Sequence, residues 1–284
     1  MKRLLIALFL LTAVSLSAQT LKLGTITPFP PRDDDRLYNL GSYLHDSIKN
    51  GGYQNFAVYT AQGTDMSRFL KLIKSDRIDV VIADYYQSAV IARHEGFTPV
   101  LTARKNGSLY ETSVIFTLKD SGIYRLSDLK GRKTALTYDS SATGSYLPLE
   151  MMKKAGLNIY PSGSTSKTEN GMTGFFYAGS EQDTALAVYL RKAETGAMSE
   201  YAFYNLIPDI YKPSLRVIGR SESVYALFVM LNNKMTSKQK EAVTDALQHA
   251  QNDAKGMKIL EDLGIDGLYP VGFDWETLFS FVLK

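Results

Sequence analysis

The chain has 284 residues, 45% of them hydrophobic and 21% charged, with 32 Lys and Arg against 29 Asp and Glu. That length accommodates one large domain or two lobes of roughly 100–150 residues each, and a formal net charge of +3 argues against a nucleic-acid partner, which calls for a concentrated basic face. With no cysteine, disulfide frameworks, thiolate metal sites, redox motifs and a lipid-modified cysteine are excluded.

In chain order, residues 1–18 come first and differ from the rest. Lys2 and Arg3 precede the apolar stretch Leu4–Leu16, with the small residues Ser15, Ser17 and Ala18 at its end. A basic start, an apolar core of about 13 residues and a small-residue cleavage site read as a signal peptide. The stretch falls short of the roughly 20 apolar residues that span a bilayer. The mature chain is therefore expected to be soluble in the periplasm, or secreted, and nearly neutral in charge; a monomer is expected.

Leu21–Ile26 reads as a strand closed by Pro28. Asp33-Asp34-Asp35 reads as a local acidic turn. Leu37, Leu40, Leu44 and Ile48 recur at helical spacing, and Asn50-Gly51-Gly52 stops that helix. Phe56–Thr60 is a second strand, and Thr64 can cap a helix that turns Phe69, Leu70 and Ile73 inward. Asp79–Ala83 is continuously apolar after its first residue, as in a strand covered on both faces. Strands alternating with helices predict a parallel sheet with right-handed crossovers.

The pattern restarts with a strand at Ser113–Leu118 and a short capped helix at Ser127–Gly131. A strand at Lys133–Tyr138 leads into a helix from about Thr143 to Lys154 that stops at Gly156. Strand Gly174–Ala178, a helix through Leu186 and Leu190, and strand Thr195–Met198 follow. Tyr225–Leu231 is again a strand. The long helix after it is capped by Thr236 or Ser237 and carries Val243, Leu247 and Ala250. Trp275, Leu278, Phe279 and Val282 form an amphipathic tail that packs back on one lobe.

Ligands of open parallel sheets sit beyond the carboxyl ends of the strands. Those ends are Thr27; Asp84, Tyr85 and Tyr86; Ser140, Ser141, Ala142 and Thr143; Glu181; and Ser199 and Glu200. The segment Tyr138–Gly144 follows a strand and opens a helix, whose unpaired amides and dipole suit an oxyanion; the same residues also read as an ordinary N-cap. No Gly-Lys-Ser/Thr follows, which disfavours nucleotide hydrolysis. His45, His94 and His249 have no metal-ligand spacing, and no Gly-x-Ser-x-Gly elbow occurs. No catalytic constellation, metal or cofactor is expected; the chain reads as a binding protein and not as an enzyme.

One ordered set of segments carries a resemblance. It comprises Ile78–Ala83, Lys119-Asp120-Ser121-Gly122-Ile123 leading to Asp128-Leu129-Lys130-Gly131, and Ser141-Ala142-Thr143-Gly144 with Pro148 four residues on. Gly179-Ser180 before an Ala-rich helix and Thr195-Gly196-Ala197-Met198 complete it. Over nearly all of the mature chain this resembles the substrate-binding proteins of phosphate/phosphite/phosphonate ABC transporters, a branch of the type II periplasmic binding proteins.

The resemblance implies a two-lobed α/β fold, each lobe a mostly parallel sheet flanked by helices. Lobe I would comprise 19–112 plus 222–284 and lobe II 113–221, with hinge crossings near Tyr110–Thr112 and Ser221–Val224. It also implies a solute-binding protein of an ABC importer, holding a small oxyanion-bearing ligand, phosphonate- or phosphate-like, in the interlobe cleft. The partner would be an inner-membrane permease; a sensor of the same fold reporting to a membrane signalling protein is the alternative. Ser141 and Thr143 would be among the anion contacts.

The sequence departs from that family at three places. Asp84-Tyr85 stands where Gly-Pro is usual, Ala142 replaces a hydroxyl residue, and Glu181 stands where a histidine is frequent. Two unpaired carboxylates about 5–6 Å from a dianion would cost a few kcal/mol even at an effective dielectric near 20. Asp84 and Glu181 are thus expected to turn away, to be neutralised, or to face a cationic part of the ligand, or else the ligand is not a phosphonate.

Overall fold

The computed structural model describes residues 19–27, 30–48, 53–62, 66–76, 78–164, 168 and 171–283. The signal segment, Pro28, the Asn50-Gly51-Gly52 stop, the Thr64 cap and the Val282 side chain lie outside the described residues. β1 (Gln19–Thr27) leads into α1 (Pro30–Ser47), which buries Leu37, Leu40 and Leu44 against the sheet. Asp33-Asp34-Asp35 belong to the opening turns of α1 and do not form a separate turn. Carboxylates suit this end of a helix, and each inner one also has a partner. Asp33 accepts the Thr27 hydroxyl and pairs with Arg32 and Arg36, while Asp34 accepts the Thr60 hydroxyl at 2.9 Å.

β2 (Tyr53–Gln62), α2 (Met66–Asp76) and β3 (Val80–Asp84) follow. Next come α3 (Tyr85–Glu95) and β4 (Phe97–Lys105), two elements the apolar periodicity does not announce. α3 buries Tyr85, Gln87, Ser88, Ala89, Val90 and Ile91, so the buried side is wide and partly polar and leaves no narrow apolar stripe. Gly96, at φ 66, ends α3 in the left-handed conformation and turns the chain straight into β4.

The short β5 (Tyr110–Glu111) precedes β6 (Ser113–Leu118), a 3-10 turn at Leu126–Leu129 and β7 (Lys133–Leu136). A π-helical turn, Ala142–Tyr146, runs into α4 (Leu147–Lys154), followed by β8 (Ile159–Pro161), β9 (Thr173–Tyr177) and α5 (Glu181–Tyr189). β10 (Thr195–Ser199), α6 (Glu200–Asn205) and β11 (Leu215–Arg220) complete the middle of the chain. The expected strand at 225–231 is split into β12 (Val224–Tyr225) and β13 (Leu227–Asn232). α7 (Ser237–Ala250) starts on a Thr236/Gln239 capping box, and α8 (Ala254–Asp262), β14 (Ile265–Pro270) and α9 (Trp275–Leu278) end the fold.

Two six-stranded sheets result, ordered β14-β4-β13-β3-β1-β2 and β11-β6-β10-β7-β9-β8. Both are mixed. β1 pairs in parallel with β2 and β3, and β7 in parallel with β9 and β10, so the strand–helix–strand grammar gives each sheet its parallel half. β13 and β14 in one sheet, and β6 in the other, run antiparallel to their neighbours.

The first sheet takes strands from both ends of the chain and the second from its middle, so the backbone crosses between them twice. At the crossings, β5 and β12 form a two-stranded antiparallel ribbon pairing Glu111 with Val224 and Tyr110 with Tyr225. The Thr112 and Ser223 hydroxyls meet at 2.9 Å, and the Ser113 amide donates to the Ser221 hydroxyl at 2.9 Å. The C-terminal tail packs on the first lobe: Phe279 is buried, and Phe279 and Phe281 lie 5.9 and 4.9 Å from the Tyr85 ring. Among the described residues no helix is long and apolar enough to cross a membrane.

Candidate ligand-binding cleft

A cavity of about 230 Å³ lies between the lobes at the carboxyl ends of β1, β3 and β4. Its first wall carries Thr25 and Thr27 from β1, Arg32, Asp33 and Arg36 from α1, Asp84 and Gln87 at the start of α3, Lys105 from β4 and Glu111 from β5. Its second wall carries Tyr138, Ser141, Thr143, Glu181 and Ser199. Among the described residues the cations thus come from the first wall, and the second offers hydroxyls and one carboxylate.

Asp84 is the best-connected group. One carboxylate oxygen accepts the Gln87 amide at 2.9 Å, closing a capping box on α3. The other accepts the Ala142 amide at 2.8 Å, across the cleft at the start of the π-helical turn. Burial pushes the Asp84 carboxyl up to about 7, against the pull of these two amides. The amide that reads in the sequence as a seat for an outside anion is therefore held by a carboxylate of the chain.

The other charged groups are paired or desolvated. Lys105 Nζ donates to Glu111 at 2.9 Å, and Glu111 holds the Lys105 ammonium above its ordinary range. Arg32 Nε and Arg36 Nη1 reach Asp33 at 2.9 and 3.3 Å. Burial raises the Glu181 carboxyl, with Lys105 and Arg32 opposing. Tyr138 is raised well above its ordinary range by burial and by the carboxyls of Asp84 and Glu181, and so stays a neutral phenol. Ser141 Oγ accepts the Gly144 amide at 3.0 Å, and Ser199 Oγ accepts the Ala202 amide at 3.1 Å. Both side chains are N-caps that also face the cavity.

Of the residues expected at the strand ends, Thr27, Asp84, Ser141, Thr143, Glu181 and Ser199 line this cavity together. Ala142 is buried and contributes its amide to Asp84. Tyr85 lies away from the cavity, its hydroxyl donating to the Leu278 carbonyl at 3.1 Å to fasten the tail. Tyr86 and Ser140 face a separate cavity bounded by Tyr146 and Tyr177. Glu200 pairs with Arg220 at 2.7 Å beside an outer groove.

Tyr138, which opens the segment Tyr138–Gly144, joins the site, and Arg32, Arg36, Lys105, Glu111 and Gln87 join it from outside the strand ends. Lys105 ends a strand that the apolar pattern does not disclose. Arg32 and Arg36 do have a signal, since their i, i+4 spacing just after the first strand end puts them on one face of the following helix.

Two mixed sheets bridged by a double crossing, with a polar cavity between them, have the type II periplasmic binding protein fold. The model of the family described as "ABC transporter, phosphonate, periplasmic substrate-binding protein" matches residues 26–275, and the chain belongs to that family. Its solved neighbours include XAC2383 from Xanthomonas citri bound to chloride ion, at 21% identity and a TM-score of 0.86 over 93% of this chain and 95% of that one. The same protein bound to ATP matches at 21% identity with a TM-score of 0.85 over the same shares, 93% and 95%. PhnD1 from Prochlorococcus marinus in complex with methylphosphonate matches at 12% identity and a TM-score of 0.69, covering 93% of this chain and 98% of that one. At such identities the likeness is one of fold. No curated protein sequence is significantly similar to the chain.

Proposed function

We propose that the chain is the solute receptor of an ABC importer, holding a small oxyanion-bearing, phosphonate- or phosphate-like ligand between its lobes for delivery to an inner-membrane permease. The observation that carries this reading is the composition of the cavity: Arg32, Arg36 and Lys105, paired with Asp33 and Glu111 and joined by Asp84, line one wall, and Tyr138, Ser141, Thr143, Ser199 and Glu181 line the other. Guanidinium and ammonium groups receive the negative charge, and neutral hydroxyls add donors without adding charge. Chloride, ATP and methylphosphonate, the ligands named for the neighbours described above, are anions, which agrees with a cleft of this kind, although an arginine-binding protein bound to arginine also shares the fold.

The moving bodies in this reading are 19–112 plus 222–284 and 113–221, rotating about the β5/β12 ribbon after export directed by residues 1–18. Contacts made to both walls only in the closed form drive closure, because a ligand shifts the equilibrium by its differential affinity alone. Thermal unfolding of residues 19–284 with phosphate, phosphite, methylphosphonate and sulfate tests the proposal. A ligand at a hundred times its Kd adds about 2.7 kcal/mol of stability, a rise of several degrees in Tm. No rise with any oxyanion would count against the reading.

A further inference from the structure

Among the described residues, three contacts join the start of α3 to the segment Ser140–Tyr146, which contains the π-helical turn, across the cleft. Asp84 Oδ2 accepts the Ala142 amide at 2.8 Å, Gln87 Nε2 donates to Ser140 Oγ at 3.4 Å, and the Tyr86 and Tyr146 rings stack at 4.8 Å with 14° between their planes. The Asp84–Ala142 hydrogen bond is part-buried and, at 2.8 Å against 3.4 Å, the better formed of the two polar contacts. The remaining positive features of the cavity also have resident carboxylates: Asp33 for Arg32 and Arg36, and Glu111 for Lys105. Asp84 differs from these pairs because its partner lies on the opposite lobe.

We propose that Asp84 is a specificity-determining residue that acts as a resident acceptor: it holds the Ala142 amide, locks the lobes together through it, and competes with the oxyanion of any ligand for that amide. The inference rests on the oxyanion reading of the cleft. A ligand gains the Ala142 amide only by displacing Asp84, so the locked form is binding-incompetent at this position and lowers apparent affinity by the fraction of molecules it occupies. Small oxyanions that bring nothing but charge are disfavoured most. Ligands with further groups to engage the cavity hydroxyls offset the displacement.

Asp84→Ser separates the lock from the helix cap, because serine still caps α3 through the Gln87 amide but is one bond too short to span to Ala142. Asp84→Asn keeps the size and removes the charge. Small-angle scattering without added solute, and calorimetric titration with inorganic phosphate, are run on residues 19–284 and both variants. Thermal unfolding confirms that each variant is folded. The expected result is a larger radius of gyration in Asp84→Ser and phosphate binding at least tenfold tighter than wild type in both variants. Unchanged radius and unchanged phosphate affinity in both would overturn the proposal. A larger radius with no phosphate bound by any form would leave the lock standing and sink the oxyanion reading instead.

Discussion

Asp79 and Asp84 bracket β3 and illustrate how position alone sets the behaviour of the same side chain. Asp79 accepts the Lys22 amide at 2.9 Å, and burial pushes its carboxyl up to about 6 from 3.8. Because its pKa is raised in the folded chain, the protonated form is the favoured one. Its stabilising contribution is complete below the ordinary carboxylate range and is lost as pH rises through about 6. Asp79→Asn keeps an acceptor for Lys22 without the charge and is expected to be more stable than wild type at pH 7 by about 1–2 kcal/mol. The two should converge near pH 4. Urea denaturation at pH 4, 5, 6 and 7 checks this; a variant less stable at pH 7 would contradict it. On the opposite wall, Thr143→Val keeps the shape and removes a cavity hydroxyl. It is expected to weaken oxyanion binding by about 1–3 kcal/mol, read by calorimetry.

The π-helical turn at Ala142–Tyr146 is shaped by packing as much as by ligand chemistry. Gly144 lies so close to the end of the β7 segment that an added Cβ would come within 1.9 Å of Thr137 Oγ1, and the Thr137 amide donates to the Gly144 carbonyl at 3.0 Å. Gly144→Ala is expected to destabilise the chain by about 1–3 kcal/mol through overpacking, measured by thermal unfolding; an unchanged Tm would show that the strand end yields. At the other end of the chain, Phe279 is 3% exposed and touches Tyr85, Phe228 and Trp275. Phe279→Ala is expected to cost about 3–5 kcal/mol and to make the tail after Pro270 the first site of limited proteolysis.

β1, β3 and β6 are legible within a residue or two because each is an apolar run with a clear stop. α3 and β4 are not. Gln87 and Ser88 are as buried as Val90 and Ile91, which erases the helical period, and the alternation in β4 is broken by Leu101-Thr102-Ala103, all buried. Losing β4 also loses Lys105, the cation at its end.

At the scale of the whole molecule, the carboxyl ends of strands from the two sheets converge on one cavity, and the crossings occur where β5 meets β12. Thr27, Asp84, Ser141, Thr143, Glu181 and Ser199 were legible as strand ends because their positions follow from local order. The Asp84–Ala142 contact spans 58 residues of sequence and depends on how the lobes meet, which no local pattern encodes. Of the cations described in the cleft, Lys105 is hidden because it ends the undisclosed β4, whereas Arg32 and Arg36 are betrayed only by their i, i+4 spacing.

Calorimetric titration of phosphate and methylphosphonate into residues 19–284 and into the Lys105→Met variant bears most directly on an anion-receiving cleft. Saturable one-to-one binding in the wild type should weaken by about 10–100-fold in the variant, which removes one charge-assisted contact and leaves Glu111 without its ammonium. Equal affinity in both forms, or no saturable heat with either oxyanion, would contradict it.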